Sequence, residues 1–199
     1  MAAKKRKAEL KRKTKETDIR LTLELDGSGR VQVKTPVAFL SHMVEAMMKH
    51  ALFDLAAEAK GDLEVDAHHT VEDLGLVLGE AFLQAIGDKK GITRFGHAIV
   101  PMDEALATAA ADISGRPYLV CEVNFPERDQ WEFDMNLVRE FFQAFVSAAR
   151  LTLHLRLDHG SNYHHAAEAL FKAVGRALGQ AAARDPRVKG APSTKGKLD

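Results

Sequence analysis

The sequence carries one motif twice: two adjacent histidines followed, after two other residues, by a glutamate. The motif H-H-x-x-E occurs at residues 68–72 and again at 164–168. The similarity extends beyond the motif, with glycine and alanine recurring at matched positions: Gly79 with Gly175, Ala81 with Ala177, and Ala85 with Ala181. Apolar residues follow helical spacing in both segments. We therefore predict that each motif opens an amphipathic helix and that the chain is internally duplicated.

The duplication also covers four successive elements upstream of the motifs. Each half has a glycine-containing turn between two strand-like runs, then an apolar-periodic helix, then a strand that precedes the motif. The matched segments are DGSGR (26–30) and DISGR (112–116), the helices 39–53 and 136–150, and the strands DLEVDA (62–67) and LTLHLRL (151–157). Chance similarity rarely preserves so many elements in one order. We therefore predict that the chain consists of two copies of one unit.

The order strand, strand, helix, strand, helix in each half predicts an α+β fold. We expect two half-repeats, 8–94 and 95–188, which together form one domain. We expect the halves to pair their sheets and to place the helices on one side of the sheets. A basic N-terminal arm (1–7) precedes them, and a C-terminal substrate-binding tail (189–199) follows.

The charge of the chain gives no indication of a nucleic-acid partner. Lys plus Arg and Asp plus Glu both number 28, and the hydrophobic fraction of 46% is that of a globular protein. The first fifteen residues, MAAKKRKAELKRKTK, nevertheless hold eight basic residues and one acid. We interpret them as a solvated arm leading into a first strand, with a nuclear-localisation or RNA-binding segment as the alternative.

The sequence also predicts a cytoplasmic protein. No apolar run approaches the roughly 18 residues that span a membrane, and the N-terminus lacks the apolar core of a secretory signal. The single cysteine, Cys121, lies in the strand-like run YLVCEV and is expected to be buried and inert.

The repeated motif is suited to metal binding. Residues i and i+4 of a helix lie on one face, so the first histidine and the glutamate of each motif can share an ion while the second histidine points to another. His42 and Glu140 occupy matched positions on the preceding helices and can complete the set. The eight candidate ligands are His42, His68, His69, Glu72, Glu140, His164, His165 and Glu168. Nitrogen and oxygen donors without thiolate suit Mn, Fe, Co or Zn and argue against a structural zinc site.

Basic and hydroxyl side chains in turns or beside the motifs indicate a phosphorylated small molecule as ligand. Guanidinium, ammonium and hydroxyl groups are the usual phosphate donors in proteins. The candidates are Arg94, Arg116, Lys172, Ser193, Thr194 and Lys195.

Taken together, the motifs resemble those of the imidazoleglycerol-phosphate dehydratase family. The segments that carry the resemblance are TKET (14–17), FLSHM (39–43), HHTVED (68–73), GITRFG (91–96), PMDEAL (101–106), DISGRP (112–117), HHAAEALFKA (164–173) and PSTKG (192–196). The family's enzymes convert imidazole-glycerol phosphate to imidazole-acetol phosphate and water in histidine biosynthesis. The resemblance implies a duplicated α+β fold, two Mn ions per active site, and a shell of twenty-four subunits with sites at subunit contacts.

Carried onto this sequence, the resemblance supports seven of the eight metal ligands. The eighth, Glu140, rests on the repeat alone, because some family members have histidine there. The resemblance further implies a substrate contact for Glu16 and phosphate contacts for Arg94, Arg116, Lys172, Ser193 and Lys195. We also expect His42, His50 and Thr194 to contact the substrate. We expect Glu16, His50 or Glu168 to move protons while the metals stabilise the substrate's imidazolate, which expels the adjacent hydroxyl.

Two other functions use some of the same features. A metal-dependent phosphohydrolase would need the same ligands and phosphate contacts, but would release inorganic phosphate. A metal-storage or RNA-binding assembly protein would explain the histidines and the basic N-terminus. Neither accounts for GITRFG, DISGRP and PSTKG together, so we favour the dehydratase.

Overall fold

The computed structural model describes residues 5–126 and 133–198, which form eight strands and four helices. In chain order these are β1 (Lys7–Lys13), β2 (Thr17–Glu24), β3 (Val31–Lys34), α1 (Ala38–Ala51), β4 (Asp54–Gly61), α2 (His68–Ile86), β5 (Phe95–Met102), β6 (Ala105–Asp112), β7 (Tyr118–Glu122), α3 (Asn136–Ala149), β8 (Thr152–His159) and α4 (Tyr163–Ala182). Both H-H-x-x-E motifs lie at the start of a helix, as the apolar spacing predicted.

The two halves of the chain have the same topology. Each forms a separate four-stranded sheet, in the order β1-β2-β4-β3 or β5-β6-β8-β7. The pairs β3–β4 and β7–β8 are parallel and the other pairs are antiparallel. The α+β class and the duplication are thereby confirmed. Each half contains the predicted order strand, strand, helix, strand, helix, and one additional strand, β1 or β5, precedes it.

The strand predicted at DLEVDA (62–67) is wrong. The strand before the first motif is β4, whose sequence DLAAEAKG buries every second residue against the helices. Residues 62–67 form the loop into α2, and Leu63 and Val65 remain 43% and 70% exposed. An apolar alternation forms a strand only where a face is available to bury it, and this loop has none.

The two halves meet through their helices. The helix α1 of the first half packs against α4 of the second, α2 packs against α3, and each sheet covers the helices of its own half. The helices thus lie on one side of each sheet, but the expected pairing of the sheets with each other is wrong. The helices are apolar on two opposite faces. One face is covered by the sheet of the same half, and the other by a helix of the other half. Among the described residues, no helix has the length and apolarity needed to cross a membrane.

Residues 7–13 of the basic N-terminal stretch form the edge strand β1. Lys5 pairs with Glu24 at 2.9 Å, Arg6 pairs with Asp26 at 2.5 Å, and Arg12 reaches the buried carboxylate of Asp73. These cations therefore have acidic partners within the chain, which lowers their ability to attract a polyanion.

Glycines allow the helices of the two halves to approach backbone to backbone. A Cβ atom at Gly79 of α2 would lie 2.4 Å from the carbonyl oxygen of Phe145 in α3. Its repeat partner, Gly175 of α4, would place a Cβ atom 2.1 Å from the carbonyl oxygen of Met47 in α1. Neither contact can be relieved by a side-chain rotation, since the opposing atom is main chain. The glycines that align in the repeat therefore set the distance between the halves.

This close contact predicts that Gly79→Ala and Gly175→Ala each lower the free energy of unfolding by about 1–3 kcal/mol, the usual cost of overpacking. Urea unfolding monitored by circular dichroism would measure the change. At a helical position without the contact, the same substitution would raise stability by about 1 kcal/mol, because alanine is the better helix former. Gln84→Ala, on the exposed face of α2, is the matched control and should stay within about 0.5 kcal/mol of wild type. An increase in stability for either glycine variant would contradict the packing described.

Candidate metal centre

The N-terminus of α4 directs the second motif. Asn162 is the N-cap residue, and its side-chain oxygen accepts hydrogen bonds from the backbone N–H groups of His164 and His165 at 2.9 and 3.4 Å. Capping fixes the first turn of the helix, which sets the direction of the side chains that leave it. His164 and Glu168 then lie one turn apart on the same face.

His42, His164 and Glu168 form a group that could hold a metal ion. The Oε2 atom of Glu168 lies 3.3 Å from Nε2 of His42 and 3.2 Å from Nε2 of His164. One donor atom from each residue lies within 4.8 Å of the others. Burial raises the pKa of Glu168, but the hydrogen bond and charge of Lys172, together with His42, outweigh burial, and the net pKa is lowered. A charged carboxylate between two imidazoles is a donor set that fits Mn, Fe, Co or Zn.

The first motif is arranged differently. His68 and Glu72 pair across one turn of α2, with 3.8 Å between Nε2 and Oε2. His69 points away from them, with Nδ1 at 3.1 Å from the Asp62 carboxylate and Nε2 at 4.0 Å from Oε1 of Glu16. The structure therefore brings Glu16, predicted as a substrate contact, next to a predicted metal ligand.

The second histidine of each motif is hydrogen-bonded to one acidic residue for which the sequence predicted no role. Nδ1 of His165 lies 2.8 Å from Oε2 of Glu104, as Nδ1 of His69 lies beside Asp62. The hydrogen bond to Glu104 raises the pKa of His165, and the hydrogen bond to Asp62 raises the pKa of His69. The same hydrogen bond from His165, supported by the backbone N–H of Asn162, lowers the pKa of Glu104 to about 2. The one indication of Glu104 in the sequence was its position in PMDEAL, a segment that carries the family resemblance.

Glu140 is the exact positional counterpart of His42, since each is the fifth residue of a fourteen-residue helix. Glu140 is half-buried on α3, which packs against the helix of the first motif. Within residues 5–126 and 133–198, however, only His42, His164 and Glu168 form a group of three close donors. A ligand role for Glu140 stays a prediction.

Some of the predicted phosphate contacts form hydrogen bonds within the chain, and others are exposed. The Arg94 guanidinium donates to both oxygens of Asp112, at 2.7 and 3.1 Å, and to the carbonyl oxygen of Pro192 at 2.9 Å. Lys172 donates to Oε1 of Glu168 at 2.8 Å. Arg94 thus fastens the tail that carries Ser193, Thr194 and Lys195, of which the last two are exposed. The side chain of Arg116 is exposed at the turn before β7.

A cleft of about 480 Å³ opens beside the three-residue group. His42, His50, Glu168 and Lys172 line it together with the turn at Gly29 and Arg30. Burial of part of the ring, followed by the charges of Lys172 and Arg176, lowers the pKa of His50, which favours the neutral form of the imidazole. Two of the three candidate proton carriers, His50 and Glu168, therefore share one cleft with a predicted phosphate contact.

Comparison with known proteins gives one consistent result. The family model "Imidazoleglycerol-phosphate dehydratase" matches residues 35–178. The chain is 56% identical to the imidazoleglycerol-phosphate dehydratase of Acidithiobacillus ferrooxidans, over 97% of this chain and 98% of that protein. It is 54% identical to the Bacillus licheniformis enzyme of the same name, over 97% of this chain and 100% of that protein.

Solved structures agree with the sequence comparison. A crystal structure of the Pyrococcus furiosus protein in complex with (S)-C348 superposes with a TM-score of 0.82 at 38% identity, covering 95% of this chain and 100% of that one. The Staphylococcus aureus imidazoleglycerol-phosphate dehydratase superposes with a TM-score of 0.79 at 38% identity, covering 90% of this chain and 99% of that one.

The matched positions of His42 and Glu140 allow a paired test of the metal centre. We expect His42→Ala to lower Mn²⁺ affinity by at least about tenfold, since one of three converging donors is lost. Glu140→Ala should have the smaller effect, because no second and third donor of the described chain converge on it. Titration with Mn²⁺ monitored by electron paramagnetic resonance would measure both affinities. Equal losses for the two variants, or a larger loss for Glu140→Ala, would contradict the prediction.

Proposed function

Because the chain belongs to the imidazoleglycerol-phosphate dehydratase family, a family of hydro-lyases, we propose that it dehydrates D-erythro-imidazole-glycerol phosphate to imidazole-acetol phosphate in histidine biosynthesis. The observation that carries this proposal is the group His42, His164 and Glu168 at the edge of a cleft that also contains His50 and Lys172. A dehydratase of a phosphorylated imidazole needs groups for the ring, for proton transfer and for the phosphate. This cleft offers all three.

Membership of the family supports Mn²⁺ as the cofactor, two ions per active site. Nitrogen and carboxylate donors without thiolate fit this ion, as they fit Fe, Co and Zn. The residues that would hold the metals are His42, His68, His69, Glu72, Glu140, His164, His165 and Glu168. Bound manganese would stabilise the imidazolate form of the substrate, which is the chemistry that the metal would supply.

The side chains of the protein supply the proton transfers. The reaction removes the hydroxyl from the carbon next to the ring and a proton from the following carbon, and the resulting enol becomes the ketone. Neutral His50 can accept a proton, because its pKa is lowered and its ring faces the cleft. Glu168 and Glu16 are the carboxylates available for the second transfer, and Glu16 is exposed beside His69.

The phosphate is assigned to the basic groups around the cleft and to the tail. Lys172 lies in the cleft, and Arg116, Ser193, Thr194 and Lys195 supply further donors. Arg94 acts through the tail, since its guanidinium is engaged by Asp112 and the Pro192 carbonyl. The segment 189–199 would thus be a substrate-binding tail fastened at one point to the second half-repeat.

We assign the protein to a homo-oligomer of twenty-four subunits in the cytoplasm. Its active sites would lie at contacts between subunits. The support is that the two motifs of one chain do not converge: within the described residues the first motif does not join the three-residue group. A second copy that brings its first motif to the cleft would complete the ligand set. Nucleic acid and membrane are not among the proposed partners.

The proposal predicts that the purified protein with Mn²⁺ forms the ketone from imidazole-glycerol phosphate, and that chelation abolishes the activity. His164→Ala should lower kcat by on the order of 10²–10³-fold, the usual cost of losing one group that stabilises developing charge. His154→Ala, an exposed histidine on β8, is the matched control and should leave kcat unchanged. Direct assay of the ketone would measure the rates.

Two results would overturn the proposed function. Release of inorganic phosphate without ketone would identify a phosphohydrolase that uses the same ligands. Full activity after complete removal of metal would show that the histidine and glutamate groups have another role.

A further inference from the structure

The second histidine of each motif is hydrogen-bonded, through Nδ1, to a carboxylate from outside its own helix. His69 is bonded to Asp62 at 3.1 Å, and His165 to Glu104 at 2.8 Å. Asp62 immediately follows strand β4, whereas Glu104 lies in the tight turn between β5 and β6. The two halves of the duplicated chain therefore make the same hydrogen bond from two different loops.

A carboxylate at Nδ1 decides which ring nitrogen can bind a metal. An ionised carboxylate only accepts hydrogen bonds, so the neutral imidazole beside it carries its proton on Nδ1. The lone pair is then on Nε2, and the ring is held in one orientation. The hydrogen bond therefore makes Nε2 the available ligand atom of His165.

Glu104 is itself held in place by the loop that begins α4. Its Oε1 atom accepts the backbone N–H groups of Asn162 at 2.7 Å and Ser161 at 3.2 Å, and the Ser161 hydroxyl at 3.4 Å. Its Oε2 atom is left for His165. The preceding residue, Asp103, has a φ of +47°, a left-handed conformation that fixes the turn. A carboxylate restrained on one oxygen can orient a ring bonded to the other.

Comparison of the halves separates the roles of two glutamates in equivalent turns. Glu16 lies in the β1–β2 turn, which corresponds to the β5–β6 turn of Glu104. Glu16 is 4.0 Å from Nε2 of His69, whereas Glu104 is bonded to Nδ1 of His165, on the opposite side of the ring. In the first half Asp62 occupies the Nδ1 position, and Glu16 lies on the Nε2 side of the same histidine.

We propose that Glu104 is a positioning residue that holds His165 in the Nδ1–H tautomer with Nε2 directed to the metal, and that Asp62 does the same for His69. This assignment rests on the proposed metal-dependent function. It gives no direct contact with substrate to Glu104, in contrast to Glu16.

Glu104→Gln in the full-length protein tests the assignment. The carboxamide keeps an oxygen for the backbone N–H groups of Ser161 and Asn162, but it presents an N–H group to Nδ1. His165 should then shift to the Nε2–H tautomer, which cannot bind metal through Nε2. We expect the ¹⁵N shifts of the metal-free protein at alkaline pH to report that change, and Mn²⁺ affinity to fall by about 10–100-fold. The thermal midpoint of the metal-free variant should match wild type.

Two controls separate positioning from a general structural effect. Glu80→Gln, an exposed glutamate on α2, should change neither the tautomer nor the affinity. In a His165→Ala background, Glu104→Gln should cause no further loss of Mn²⁺ affinity, because its effect passes through the ring. An undiminished loss in that background, or an unchanged tautomer in the single variant, would overturn the assignment.

The outcome is distinguishable from failure of the proposed function. Wild-type protein that binds Mn²⁺ but forms no ketone would count against the dehydratase and leave the positioning role intact. Wild-type protein that binds no Mn²⁺ would overturn both. Asp62→Asn, read through the tautomer of His69, repeats the test in the first half.

Discussion

The contact between α1 and α4 is the interaction on which the candidate site depends. Gly175 and Gly179 lie one turn apart on α4, and added Cβ atoms there would come within 2.1 Å of the Met47 carbonyl oxygen and 2.8 Å of the Ala51 carbonyl oxygen. Backbones this close leave little freedom in the relative position of the helices. At the other end of the same contact, His42 of α1 meets His164 and Glu168 of α4. The group that could hold a metal ion is therefore built by packing between the two halves of the chain, and neither half contains it alone.

Duplication explains why the two halves have the same topology. Divergence explains why different residues surround the two motifs. The halves share strand order and interhelical glycines and have helices of nearly equal length, but they differ at positions close to the motifs. His42 corresponds to Glu140, and Glu16, which lies beside Nε2 of His69, corresponds to Glu104, which is bonded to Nδ1 of His165. An enzyme acting on an asymmetric substrate needs such differences, because imidazole, carbon chain and phosphate require different partners. The repeat provides a common frame on which these substitutions occurred.

The sequence predicted the parts of this structure that depend on local pattern. Apolar spacing located the helices, and alignment of the repeats singled out His42, which lies 26 residues before His68 and far from His164 in the chain. Contacts between residues that are distant in the chain could not be predicted from local pattern. The strand assigned to DLEVDA depended on an alternation that no surface buries, and Asp62 within it proved to be the partner of His69. Arg94 is engaged by Asp112 and Pro192, which only the folded hairpin and tail bring together.

The central claim is that packing of α1 against α4 creates a metal centre from His42, His164 and Glu168. The most direct measurement is anomalous X-ray scattering at the manganese absorption edge, from crystals of the full-length protein loaded with Mn²⁺. The account predicts an anomalous peak within coordination distance of Nε2 of His42, Nε2 of His164 and a carboxylate oxygen of Glu168. A well-occupied manganese ion bound elsewhere, with these three side chains free of metal, would contradict it.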